Sequence, residues 1–119
     1  MSANGPATSS GVAVYSGSGR NRLCLEEGRA GLIVYAASGD ANCSVRGTAE
    51  TTGGGLVIRP DGDQSCRIEA RASGESLTLG PVAPACAYYC GPGASYSGAT
   101  FDAAAAPQPV SDVAGDQLC

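Results

Sequence analysis

This chain of 119 residues contains no histidine. The side chains best able to take part in chemistry are therefore its eleven carboxylates, six cysteines and seven arginines. Without imidazole, Ser-His-Asp and Cys-His nucleophile activation and histidine-ligated metals are excluded. Asp61 and Asp63 lack the twelfth-position glutamate of a calcium loop, so their sequence indicates a hairpin turn. Glu26 and Glu27 point to opposite faces of a strand and cannot form a catalytic pair. We therefore predict no catalytic residues and no enzyme activity, and an enzyme that uses carboxylates alone is the alternative.

The cysteines favour structural disulfides over other chemistry. The six candidates are Cys24, Cys43, Cys66, Cys86, Cys90 and Cys119. An even number of cysteines in a short chain is typical of a disulfide framework. A four-thiolate zinc site is the alternative, but the Cys86-x-x-x-Cys90 spacing is one residue too wide for a zinc or redox C-x-x-C motif. We expect no metal or other cofactor. Disulfides predict a periplasmic or extracellular protein.

A glycine- and serine-rich segment is one candidate binding site. It contains Ser16, Ser18, Arg20 and Arg22. A flexible loop with two guanidinium groups could hold an anion, and a hairpin loop without a ligand is the alternative.

Three tyrosines form the other candidate site. Tyr88, Tyr89 and Tyr96 lie on both sides of the run Gly91-Pro92-Gly93. They could form an aromatic surface patch for a partner, or they could supply the bulk that the core otherwise lacks.

Charge and hydropathy restrict the partners. A net charge of −4 and a pI near 4.5 argue against nucleic acid and favour a basic protein. No apolar run approaches the roughly 20 residues of a transmembrane helix. The polar start, residues 1–10, lacks the features of a signal peptide, so we interpret it as the sequence that follows a removed leader, which could have tethered the protein.

Short β-prone runs alternate with turn residues along the chain. This spacing predicts a mainly β fold: a single small antiparallel barrel or sandwich of about seven to eight short strands, reinforced by disulfides. We expect a flexible linker over residues 1–11, one domain over 12–119 and a short helical turn near 85–90. The predicted strands are 11–15, 22–26, 32–37, 43–50, 56–59, 66–72, 76–79 and 94–101.

The strand register suggests how the cysteines pair. Cys43 and Cys66 begin two strands on either side of a short strand that ends before Pro60, and both face inward. Cys43–Cys66 is therefore the preferred bridge.

The helical turn places the next two cysteines on one face. Cys86 and Cys90 are then each expected to bridge elsewhere, with Cys24 as partner of one and Cys119 of the other.

Taken together, an acidic, exported and disulfide-bonded β-barrel with the string Ser16-Gly17-Ser18-Gly19 resembles the periplasmic inhibitors of c-type lysozyme, which insert such a loop into the enzyme's cleft. The chain departs from that pattern because Arg22 occupies the position of a tyrosine and the string lies near the start of the domain. Residues 43–101 also resemble small exported bacterial β-barrel domains. The resemblance implies a non-catalytic module that binds or inhibits a basic protein such as a lysozyme. A structural envelope module without a soluble ligand is the alternative.

Overall fold

The computed structural model describes residues 8–9, 12–37, 39–104 and 110–119. Apart from Thr8–Ser9, which forms a short strand, the predicted linker 1–11 lies outside the described residues. The strands are β1 (Thr8–Ser9), β2 (Val12–Gly17), β3 (Arg22–Glu26), β4 (Arg29–Tyr35), β5 (Asn42–Thr52), β6 (Gly55–Pro60), β7 (Ile68–Ser73), β8 (Ser76–Leu79) and β9 (Thr100–Ala103), with a 3₁₀ helix at Pro84–Tyr89 between β8 and β9.

The sheet closes into a barrel of eight antiparallel strands. Each strand pairs with the next in the chain, and β9 pairs back onto β2, with Phe101 opposite Gly17. The prediction of a mainly β fold with one short helical turn is confirmed, and the barrel is chosen over the sandwich. The predicted last strand, 94–101, is placed too early, because Tyr96 belongs to the connection that covers the barrel and the closing strand is β9.

The alternation of residue types in β5 explains why this segment forms a wall strand. Cys43, Val45 and Gly47 are buried, whereas Arg46 and Thr48 are exposed, which is the period of two expected for a strand with one face on a core. The turn from β3 to β4 contains Gly28 with φ of 73°, a conformation that glycine adopts without steric cost.

Two glycines, one in β5 and one at the start of β6, allow neighbouring strands to approach closely. A β-carbon at Gly47 would overlap the carbonyl group of Arg59, and one at Gly55 would lie 2.9 Å from the carbonyl carbon of Ala70. Glycine at such positions is typical of strands that bend to close a small barrel.

The barrel has two different ends. The short turns β3–β4, β5–β6 and β7–β8 lie at one end, which we call the turn end. The connections that follow β2, β4, β6 and β8 lie at the other, which we call the loop end. The last of these connections, between β8 and β9, carries the 3₁₀ helix and Tyr96. Since Tyr96 is fully buried in the same cluster as Leu23, Ile58 and Phe101, this connection closes the core at the loop end.

A second, smaller core lies outside the barrel wall. Val14, Cys24 and Ile33 belong to β2, β3 and β4 but pack with Val110 and Leu118 instead of the inner cluster. We call residues 110–119, which cover this wall, the C-terminal strap.

The strap depends on its cross-link. Burial of Val110 and Leu118 contributes about 2 kcal/mol each, whereas ordering ten residues costs on the order of 10 kcal/mol. The Cys24–Cys119 disulfide, with a sequence separation of 95, contributes about 5 kcal/mol by restricting the unfolded chain. The two buried side chains thus offset less than half of the ordering cost, so the strap depends on its covalent attachment.

The three disulfides are Cys24–Cys119, Cys43–Cys90 and Cys66–Cys86. All six predicted cysteines are therefore used, and Cys86 and Cys90 bridge elsewhere, as expected. The preferred bridge Cys43–Cys66 is wrong, and so is the pairing of Cys24 and Cys119 with the cysteines of the helical turn.

The reason for the error is visible beside Cys43. Strand β6 does end early, since Pro60 lies opposite Gly47. The vacated edge of β5 is occupied by Cys90, whose backbone bridges that of Cys43 while the Gly91 N–H donates to the Asn42 carbonyl at 2.8 Å. Cys66 is left to pair with Cys86 in the 3₁₀ helix.

Candidate functional site

The Gly/Ser segment is a short turn instead of a long projecting loop. Ser16 and Gly17 belong to β2 and pair across to β9, so only residues 18–21 project. The turn is closed by two backbone hydrogen bonds, from the Gly17 N–H to the Asn21 carbonyl at 2.9 Å and from the Asn21 N–H to the Ser18 carbonyl at 3.0 Å. Gly19 has φ of 57°, which suits glycine at the tip.

Both guanidinium groups of this segment contact oxygens of the protein itself. Arg20 stacks 3.9 Å from the centre of the Tyr35 ring and donates to the Gly39 carbonyl at 3.1 Å and the Asp40 carboxylate at 3.0 Å. Arg22 donates to the carbonyls of Gly19 at 3.0 Å and Asn21 at 2.7 Å. These contacts fix the turn against the β4–β5 connection.

A groove of about 590 Å³ opens beside this turn at the loop end. Its walls come from the turn, from the end of β4 and from the segment just before β9. Small side chains and hydroxyl groups line it, with Arg20 and Tyr35 on one side and Ser95 and Ser97 on the other. Its position at the barrel mouth is typical of ligand sites in small barrels.

The three predicted tyrosines occupy different environments. Tyr96 is fully buried, which fulfils the alternative of a core role, whereas Tyr88 is 85% exposed. Tyr89 is partly buried and meets Tyr88 edge to face, with ring centroids 5.2 Å apart. Tyr88 is therefore the only one of the three that presents most of its surface to a partner.

Tyr89 anchors the 3₁₀ helix to the β6–β7 connection. Its hydroxyl donates to the Asp63 carboxylate at 2.6 Å. Hydrogen bonds from Ser65 and Tyr89 lower the pKa of Asp63 to about 2, and the bond to Asp63 raises the pKa of Tyr89 to about 12. The sequence interpretation of Asp61 and Asp63 as turn residues agrees with this structural role.

The exposed carboxylates are unevenly distributed, a feature that the sequence interpretation missed. Five of them lie at the turn end, and we call this group the acidic rim: Glu26, Glu27, Glu50, Glu75 and Asp102. None of the salt bridges among the described residues involves a member of this group. The strand order contained the signal, because alternate turns of an antiparallel barrel fall at the same end.

The arginines do not neutralise the acidic rim. Arg29 begins β4 close to Glu26, but its guanidinium binds both oxygens of Asp61 at 2.7 Å. Arg71, opposite Gly55 in β7, is the other arginine toward this end. Away from the turn end, the other six carboxylates are nearly balanced by the five remaining arginines. The net negative charge of the protein is thus concentrated at the turn end.

No group of three or more cysteine or acidic side chains in the described part of the chain is placed to hold a metal ion. The described ranges also contain no helix with the length and apolar character needed to cross a membrane. Comparison with known proteins found no match among family models, curated protein sequences or solved structures.

Proposed function

We propose that the protein is an exported, non-catalytic binding module that captures a basic protein through its acidic rim. The observation that carries this proposal is the concentration of five exposed carboxylates at one end of a rigid barrel. Three disulfides are compatible with function in the periplasm or outside the cell.

The rim has the physical properties of an electrostatic docking surface. The turns that carry Glu26, Glu27 and Glu75 connect adjacent barrel strands and are fixed by the ladder on both sides, so binding need not order a flexible loop. Exposed charges act mainly by accelerating encounter and orienting the partner, and their effect falls as salt rises.

A basic enzyme such as a lysozyme is the partner class that this charge favours, and inhibition would follow if the bound module covered the enzyme's cleft. The turn at 18–21 is less suited to penetrate a cleft, because Arg20 and Arg22 bend back onto the protein's own carbonyl groups.

A charge-matched pair of variants tests the proposal. In the rim variant, Glu26→Gln, Glu27→Gln and Glu75→Gln remove three charges from the turn end. In the control, Asp40→Asn, Glu69→Gln and Asp116→Asn remove the same charge elsewhere. Binding to a c-type lysozyme is measured by biolayer interferometry at about 50 and 150 mM salt. We expect the rim variant to bind about tenfold or more weakly and the control to remain close to the parent.

Three outcomes decide between the possible sites. Absence of salt-sensitive binding to lysozyme overturns the proposed basic partner and favours an envelope module without a soluble ligand. Equally weakened binding in both variants shows that net charge acts without a defined surface, which contradicts binding through the acidic rim. Loss of binding in Ser18→Ala/Arg20→Ala, with the rim variant unaffected, moves the site to the loop end.

A further inference from the structure

The wall beneath the C-terminal strap is unusual for the outside of a barrel. Outward-facing residues of a small barrel normally meet water and are polar, yet Val14 and Ile33 point outward and are each only 2% exposed. Leu118 fits against the wall where Gly31 has no side chain, since a β-carbon there would lie 2.5 Å from the Leu118 β-carbon. The wall is therefore built to be covered by this segment.

Few directional contacts hold the strap in place. Among the described residues, the backbone–backbone hydrogen bonds of the strap are internal, and they include those from Leu118 N–H to the Val110 carbonyl and from Asp112 N–H to the Asp116 carbonyl, each at 2.9 Å. Among the hydrogen bonds of the described residues, one joins the strap to the barrel, from the Arg46 guanidinium to the Gln117 carbonyl at 3.2 Å. The covalent bond from Cys119 to Cys24 is thus the principal attachment.

The other two disulfides are supported differently. Cys66 and Cys86 are both fully buried. Cys90 remains beside Cys43 through backbone pairing, reinforced by the bond from Gly91 to Asn42. In contrast, Cys119 is partly exposed and, among the described residues, has no backbone hydrogen bond to the barrel, so a local opening of the strap brings its sulfur to solvent without disturbing the barrel.

We propose that the Cys24–Cys119 disulfide is a redox latch, whose reduction releases the C-terminal strap and uncovers the apolar wall of β2–β4 while the barrel stays closed. This device is separate from the acidic rim. Barrel closure uses the β2–β9 ladder, in which the strap takes no part.

The reductant is a dithiol. One of its thiolates attacks the Cys119 sulfur, the bond to Cys24 breaks, and the Cys24 thiolate takes up a proton. The second thiol of the reductant then attacks the mixed disulfide, which closes the reductant's own disulfide and releases Cys119 as a thiol. Two electrons pass from the dithiol to the protein disulfide.

Reduction changes the surface that the protein presents. In the oxidised state the outer face of β2–β4 is covered. After release, Val14 of β2, Cys24 of β3, and Ile33 and Tyr35 of β4 form an apolar patch across three neighbouring strands. Such patches are typical of interaction surfaces. The latch thus makes an apolar face available only under reducing conditions.

Graded reduction of the native protein tests the latch. The oxidised protein is exposed to increasing dithiothreitol, free thiols are alkylated, and the labelled cysteines are identified by mass spectrometry together with amide hydrogen exchange. We expect Cys24 and Cys119 to be labelled about tenfold or more faster than the other four cysteines. Exchange should rise in residues 110–119, while β5–β8 stay protected.

Two matched variants make the result independent of reduction kinetics. Cys24→Ser/Cys119→Ser should bind a hydrophobic dye and show an unprotected strap with intact barrel exchange, whereas Cys43→Ser/Cys90→Ser should leave the strap protected. Simultaneous reduction of all three disulfides with loss of barrel protection overturns the latch. Selective reduction with a strap that stays protected from exchange also overturns it, because release is then absent.

Discussion

Leu118 packs against the backbone of Gly31. A β-carbon added at Gly31 would lie 2.5 Å from the β-carbon of Leu118. Gly31→Ala should therefore displace the strap or the wall and lower the free energy of unfolding by about 1–3 kcal/mol. Urea denaturation of the oxidised protein measures this change. Gly53→Ala is the matched control, because a β-carbon there meets nothing within 4 Å. Equal free energies of unfolding for the two variants would contradict the prediction, because the strap would then move away from the added methyl group without loss of stability.

Phe101 fixes the closing strand. It is fully buried in β9 and lies opposite Gly17 on one side and Leu77 on the other. Phe101→Ala should cost about 3–5 kcal/mol, because it leaves a cavity at the barrel closure. Thr100→Ala, at an exposed neighbouring position, should change stability by about 0.5 kcal/mol or less. Thermal unfolding followed by circular dichroism compares the two, and similar losses would contradict the assigned closure.

The hydrogen bond between Asp63 and Tyr89 predicts a dependence of stability on acid. The pKa of Asp63 is about 2 in the folded protein, below the 3.8 of a free carboxyl. Its stabilising contribution is complete above about pH 4 and is lost as the pH falls towards 2. Calorimetry between pH 2 and 5 should show this loss, and Asp63→Asn should flatten the profile. An unchanged slope in that variant would assign the acid sensitivity to other carboxylates.

The same bond predicts a response to base. Because the pKa of Tyr89 is raised from 10.0 to about 12, its contribution is full below pH 10 and is lost as the pH rises through 12. Absorbance at about 295 nm should detect a tyrosine that ionises near pH 12. Asp63→Asn should lower that pKa, whereas Asp40→Asn should leave it unaltered.

Two side chains of the 18–21 turn should differ in their importance. Arg20 and Asp40 form an exposed ion pair, with side chains 57% and 87% exposed, so Arg20→Ala should cost about 1 kcal/mol or less. Asn21 accepts a hydrogen bond from the Tyr35 backbone N–H at 2.7 Å. Asn21→Ala removes the partner of that partly buried N–H and should cost about 1–2 kcal/mol. Chemical denaturation measures the loss of stability in each variant. A larger loss for Arg20→Ala than for Asn21→Ala would contradict this prediction.

The wall strands were the most predictable part of the fold, because they depend on local patterns. The predicted bounds of β3 and β8 agree with the structure, and the alternation from Cys43 onward identified the buried face of β5. Pro60 correctly marked the end of β6. In each case the strand could be predicted from a few neighbouring residues, either from the alternation of buried and exposed positions or from the missing N–H of a proline.

The features that depend on contacts between distant residues could not be predicted from local sequence patterns. The strap depends on contacts between residues far apart in sequence, such as Leu118 with Gly31 and Cys119 with Cys24. Cys90 occupies the edge beside Cys43 because the β8–β9 connection folds back over the loop end. No local pattern around these residues specifies such a return.

The candidate site was only partly anticipated. Arg20, Arg22 and Tyr88 lie at the loop end, which the sequence analysis did not predict. Tyr96 fills the core, as the alternative interpretation of the tyrosines held, and the guanidinium groups bind the protein itself. The acidic rim was missed because each carboxylate was examined within its own turn. Its members come together only when the closed strand order is applied to all turns at once.

The bond between Cys24 and Cys119 also has a mechanical consequence. A pulling load applied between Val12 and Cys119 would pass from β3 across the sulfur atoms directly to Cys119. Strands β4 to β9 lie within the covalent loop, so that load cannot extend any of them. Under tension, the oxidised protein should therefore lengthen by little more than its first strands. After reduction of this bond alone, β3, β4 and β9 would extend as well, while the Cys43–Cys90 disulfide would keep β5 to β8 within its own covalent loop.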